Sequence, residues 1–264
     1  MKTATTTRKT GSFLAYGAIL LWCLPLSIYA ADLDARLQWS QRVELGTPVS
    51  GKIDRVLVDV GSHVHKGDIL LQLDTRGFRA ELQQAEGELV RAREKRDEAK
   101  RELDRGQELF ERTVISPHEL QLVKIDYASA DAMLREAEAK LQLAKLNLEY
   151  SVIQAPFRGV VIQRDAEPGQ TVVSRLQATP LIVLANDEHM LARADVSLDL
   201  LGTHRVGDSA SVRIEGKELS GTIKRIGMEP VANAKPGTYS LEVEFTVPEN
   251  MPLRSGQPAT IILQ

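Results

Sequence analysis

The sequence predicts an elongated α+β protein: a small β-domain split by a long antiparallel α-helical coiled-coil hairpin, then a small β-barrel. Three observations lead there. First, TPVSGKIDRVLVDVGSHVHKGDILLQLD, residues 47–74, is echoed by QAPFRGVVIQRDAEPGQTVV, residues 154–173, with Pro48, Gly51, Gly61 and Val64 recurring at the same intervals as Pro156, Gly159, Gly169 and Val172. Second, the stretch between the copies is charged and has apolar residues at steps of three and four. Third, the chain after residue 188 alternates short apolar runs with glycine-bearing turns.

Composition narrows the function classes. A chain of 264 residues with 43% hydrophobic residues can bury a core. Its 33 basic residues are outnumbered by 36 acidic ones, and no basic block stands alone, which argues against a nucleic-acid binder. No Ser/His/Asp set, phosphate-binding glycine loop or carboxylate pair stands in a recognisable context. A non-enzyme without a cofactor is therefore expected.

Residues 1–31 read as a signal peptide or membrane anchor. Lys2, Arg8 and Lys9 precede an uncharged run from Gly11 to Ala31. Pro25, Ser27, Tyr29, Ala30 and Ala31 resemble a cleavage region, while the run is long enough to span, since roughly 20 apolar residues cross a bilayer. Cys23, the only cysteine, lies inside this leader, so the rest of the chain can form no intramolecular disulfide or cysteine-bound zinc site. Trp22 before it fits poorly with lipid attachment.

Residues 32–45 are expected to supply an N-terminal strand joining the barrel. Residues 46–75 form the first half of the split domain, with Val49, Ile53, Val56, Val58 and Val60 recurring around glycines, a pattern of strands and tight turns. His63 and His65 could share a strand face and hold a metal, but flanking glycines and the lack of a nearby third ligand read as a solvent-facing turn, and no metal site is expected. Residues 151–187, with Val160, Val161 and Ile162, form the second half. Neither half has enough strands to close a core alone, so the two are expected to pack face to face.

The hairpin occupies residues 76–150. Leu82, Ala85, Leu89, Ala92, Arg96, Ala99, Leu103, Gly106 and Phe110 form one heptad seam. Leu120, Val123, Tyr127, Ala130, Leu134, Ala137, Leu141, Ala144 and Leu148 form the other. Between them Ser116, Pro117 and Glu119 read as an N-cap serine, a proline at the first helical position and the glutamate of a capping box. Folding at this turn sets Ala85 against Ala144, Ala92 against Ala137 and Leu89 against Leu141. Leu89, Ala92, Ala137 and Leu141 are the packing residues on which the close approach depends.

Residues 188–264 carry five strand-like runs, LARADV, SASVRI, LSGTIKRI, YSLEVEFTV and ATIIL, and Leu241, Val243, Phe245 and Val247 alternate as in a sheet buried on one face. A β-barrel is the simplest closure.

With these elements in order, the chain resembles the membrane fusion proteins. These are the periplasmic adaptors of tripartite efflux pumps, of the resistance-nodulation-division type and haemolysin-secretion-adaptor-like. PVSGKI, QAPFRGVV and LRSGQPATI resemble the family's junctions, and the tip RGQELFERTVIS has Arg105, Leu109 and Ser116 at the spacing of its Arg, Leu, Ser docking motif. The resemblance implies a lipoyl-like domain split by the hairpin. It also implies docking of an outer-membrane channel through Arg105, Leu109 and Ser116, and partnership with an inner-membrane transporter of the resistance-nodulation-division or ABC type. A homo-oligomer is implied as well, a hexamer among its forms. The location implied is the periplasm, against the inner membrane. The alternatives are an ABC-type exporter or secretion adaptor, and an envelope scaffold outside transport. Bland readings stand beside the docking role: Arg105 as an exposed helix charge, Ser116 as a cap, and Leu109 as a partly exposed neighbour of a seam made by Gly106 and Phe110. No lysine-bearing carrier tripeptide marks the interrupted turn, so a swinging-arm role is not expected. Many family members continue into a membrane-proximal domain, whereas this sequence stops at Gln264, so transporter contact is expected to rest on the barrel, the lipoyl-like domain, the leader or another subunit.

Overall fold

A computed structural model describes residues 31–174, 180–202, 204–232, 234–248 and 250–263. The leader and Cys23 lie outside them. Among the described residues no helix is long and apolar enough to cross a membrane.

Strand β1 (Ala31–Trp39) opens a closed six-stranded antiparallel barrel. The others are β10 (His189–Ser197), β11 (Ser209–Ile214), β12 (Lys217–Pro230), β13 (Thr238–Thr246) and β14 (Pro258–Leu263), in the order β1, β10, β13, β12, β11, β14. Period-two alternation sends Leu37, Ile223, Leu241, Val243 and Ile261 fully into its core. Between β10 and β11 a single helical turn, α3 (Leu198–Leu201), plugs one barrel end with Leu201.

The N-terminal segment departs from expectation. Residues 31–39 join the barrel, but β2 (Arg42–Leu45) leaves it and pairs with β9 (Ile182–Ala185) in the split domain. Ser40 and Gln41 make the crossing, where Gln41 accepts the backbone N–H of Asn186 at 2.9 Å. A side-chain period of two cannot distinguish one nine-residue strand plus a short one from a single long one.

The split domain consists of two four-stranded sheets around one core that includes Ile53, Leu70, Leu71, Leu73, Ile182 and Leu184. One sheet runs β2, β9, β7 (Gly159–Arg164), β4 (His63–Val64). The other runs β6 (Val152–Gln154), β5 (Ile69–Leu73), β3 (Gly51–Val56), β8 (Thr171–Val172). The halves are thus interleaved and do not form one sheet each, since β4 of the first half pairs with β7 of the second, and β8 of the second with β3 of the first. The repeat explains the exchange. Gly61 and Gly169 turn with φ of 89° and 91°, and donate to the carbonyls of Val161 and Ile53, each at 2.8 Å.

The hairpin consists of α1 (Arg76–Glu111) and α2 (Pro117–Tyr150). Its stem is closed where Leu73 donates to the Ser151 carbonyl at 2.8 Å and Thr47 Oγ1 to that of Tyr150 at 2.7 Å. At about 1.5 Å per residue, the 36-residue α1 reaches roughly 54 Å from the sheets.

Candidate functional site: the hairpin and its tip

One constant register runs along the hairpin. Gly106 faces Val123, the Lys100 ammonium lies over the Tyr127 ring, Lys95 reaches Met133, and Lys140 Nζ lies 3.7 Å from Glu88. Ala85 and Ala144 line the same shallow groove. Ala85, Gly106, Leu120, Ala130, Leu134, Ala137 and Ala144 are buried, whereas Leu89, Ala92 and Leu141 are half-buried. The difference is physical: a two-helix seam is open along both sides, so small residues at its centre are covered while larger ones extend to its margin.

At the tip, α1 closes through three backbone bonds. Arg112 donates to Glu108, Thr113 to Phe110 and Val114 to Leu109. Thr113 takes a φ of 61°, the left-handed region that β-branched residues avoid. Ser116 then starts α2 with a complete capping box: its Oγ accepts the Glu119 N–H at 3.2 Å, and the Glu119 carboxylate accepts the Ser116 N–H at 2.7 Å. This backbone donor holds the Glu119 carboxyl below the usual range.

The three tip residues read from the sequence lie in different settings. Arg105 bonds Glu102 one turn earlier at 2.8 Å and keeps its side chain 66% exposed. Leu109 follows Arg105 by four residues, on the same face of α1, and is half-buried. Ser116 is engaged in its cap. The expected use of Phe110 in the seam is corrected, because Phe110 is exposed. The register sets it against the first turn of α2, where His118 and Glu119 are polar and exposed and offer no apolar cover. Val114, 65% exposed, adds a second apolar group that sequence reading missed.

A second missed feature lies along α2. Leu122, Ile125, Leu143, Leu146 and Tyr150 are all exposed and fall at helical steps beside the seam. Elsewhere, His63 Nδ1 lies 2.7 Å from Asp187 Oδ2, and His65 lies 3.7 Å from Asp68. The two imidazoles thus serve different carboxylates, and among the described residues no three metal-binding side chains converge.

A two-helix rod rising from an interleaved β-domain, with a barrel behind it and an apolar, uncovered tip, defines a class of elongated proteins built around a helical hairpin. Residues 81–151 match the family described as "RND MFP, alpha-helical hairpin domain". Over 246 residues the chain is 30% identical to the macrolide export protein MacA of Yersinia pestis, covering 87% of this chain and 66% of that one. It is 29% identical to the multidrug resistance protein MdtA of Pectobacterium carotovorum, covering 77% of this chain and 51% of the relative. The chain therefore spans between about half and two thirds of these relatives' lengths. The structure of the membrane fusion protein Spr0693 from Streptococcus pneumoniae superposes with a TM-score of 0.68 at 16% identity, over 88% of this chain and 98% of that one, a likeness of fold. The chain belongs to the membrane fusion proteins.

Proposed function

We propose that this chain is a periplasmic adaptor, associated with the inner membrane, that bridges an inner-membrane transporter and an outer-membrane channel for export and carries out no chemistry itself. The observation that carries this reading is the tip: an apolar surface left uncovered at the far end of a rod roughly 54 Å long. Arg105 and Leu109 are assigned the docking role. The guanidinium offers a fixed fork to a partner's carbonyls or carboxylates, and the leucine fills an apolar groove beside it. Ser116 positions the turn through its cap. Relatives named for macrolide export and multidrug resistance support an export role.

Two exposed apolar patches on one side of α2, Leu122 with Ile125 near the tip and Leu143, Leu146 and Tyr150 near the stem, support assembly into a homo-oligomer in which hairpins lie side by side, since apolar helix surface is stable when another helix covers it. Crosslinking or co-purification of Arg105→Asp and Leu109→Ser with the cognate channel tests the reading, alongside circular dichroism and substrate sensitivity. Both variants should lose channel capture and resistance while keeping helicity. Normal capture by both would remove the tip from the docking surface.

A further inference from the structure

The barrel has two unlike ends. At one, Trp39 pairs with Met190 and Ile214 with Lys217, and the chain crosses into the split domain. At the other, Ala31 pairs with Leu263, Ser197 with Thr238 and Pro230 with Tyr239, so this end points away from the hairpin. The sequence delivers its apolar run, Gly11 to Ala31, directly onto the first residue of β1 at this far end.

The same end carries apolar groups that the barrel does not need. Of the leucines in α3, Leu201 fills the core, while Leu198 and Leu200 are 58% and 41% exposed. Val206, on the way into β11, is 62% exposed. Met228 is 93% exposed, on the part of β12 that runs past its last β11 partner at Thr222. Exposed neighbours of both signs, Asp199 and Glu229 against Arg205 and Lys235, leave no strong field of one sign.

We propose that this end of the barrel rests in the interfacial layer of a lipid bilayer, with Leu198, Leu200 and Met228 immersed among headgroups and upper acyl chains. Apolar side chains on a surface element insert about 5–10 Å into that layer. Kept as an anchor, the apolar run that ends at Ala31 favours lipid over a protein partner, because it tethers a bilayer to this end of the barrel. The balanced local charge points to apolar insertion in place of attraction to anionic headgroups. The proposal rests on the periplasmic-adaptor reading only for which membrane is meant.

The test uses the full chain with Cys23→Ser and a single new cysteine at Met228→Cys, Leu200→Cys or, at the opposite barrel end, Lys217→Cys. Each carries an environment-sensitive fluorophore and is mixed with vesicles of phosphatidylethanolamine and phosphatidylglycerol. Labels at 228 and 200 should shift to the blue and be quenched by nitroxide lipids, and the label at 217 should do neither. Vesicles of phosphatidylcholine alone should give the same pattern. Leu198→Ser, Leu200→Ser and Met228→Ser combined should keep the melting temperature and channel capture but abolish quenching of a label at Val206→Cys. Labels that stay in water with vesicles, or that are shielded only when a membrane transporter is added, would overturn the proposal. Loss of hairpin-tip docking would not affect it.

Discussion

Val64 stands opposite Gly159 on neighbouring antiparallel strands, joining the first half of the split domain to the second. Val172 stands opposite Gly51 in the equivalent place, so the repeated glycine and valine of each half find their partners in the other.

The two glycines are not equally tolerant. A Cβ on Gly159 would lie 2.1 Å from the Ala185 carbonyl oxygen, whereas one on Gly51 would meet the Leu73 side chain at 3.2 Å. Gly159→Ala should cost at least about 2 kcal/mol, because a backbone neighbour cannot step aside, and Gly51→Ala should cost much less. Thermal melts of both variants check the ranking, and equal losses would contradict it.

Ala137 is buried at the hairpin seam and Ala92 is half-buried, while Glu94 is exposed. Ala137→Leu should therefore destabilise the hairpin by about 1 to 3 kcal/mol through overpacking. Ala92→Leu should be milder, and Glu94→Ala should stay within about 0.5 kcal/mol. Denaturant midpoints followed by helical circular dichroism measure this; a uniform response would place the seam elsewhere.

At the tip, Ser116→Ala removes the acceptor for the Glu119 N–H and should cost about 1 kcal/mol. Channel capture should fall less than in Arg105→Asp. A larger loss of capture in Ser116→Ala, at unchanged helicity, would make the hydroxyl itself a contact.

Asp74 joins β5 to α1 and accepts both the Arg76 guanidinium and its backbone N–H, with the side-chain bond the larger cause of a carboxyl held down to about 2. A carboxyl depressed on folding contributes stability that is fully present above its unfolded value, about 3.9, and is lost as pH falls through the folded one. The wild type should thus weaken between about pH 4 and about pH 2 by more than Asp74→Asn does. Unfolding midpoints across that range test it, and parallel curves would deny the linkage.

Much of this was legible because each signal is local. The repeat spacing, the heptads and the capping box of Ser116 and Glu119 all lie within a few turns of chain. What escaped depends on contacts distant in sequence. Nothing in residues 32–45 indicates that Arg42 will face Ala185, or that the halves will exchange β4 and β8. Phe110 continues the apolar spacing faithfully, yet it stands exposed where the register sets it against the polar first turn of α2, His118 and Glu119. The exposed apolar patches at the two ends of α2, Leu122 with Ile125 and Leu143 with Leu146 and Tyr150, were written in the sequence, but the stronger seam two residues away masked them.

The bonds closing the hairpin's stem also bear on how the chain folds. Strands β3 and β8 pair residues roughly 120 positions apart, and an open loop of that length must be brought together before the pairing is rewarded. Helices that zip from the turn at Thr113 depend on nearby contacts alone, and their completion delivers Leu73 to Ser151 as neighbours. The rod then acts as a splint that shortens the remaining search to the few residues on either side of it. Weakening the seam should accordingly slow assembly of sheets that it never touches, and refolding rates of Ala137→Leu, read from the β-domain, would report that delay.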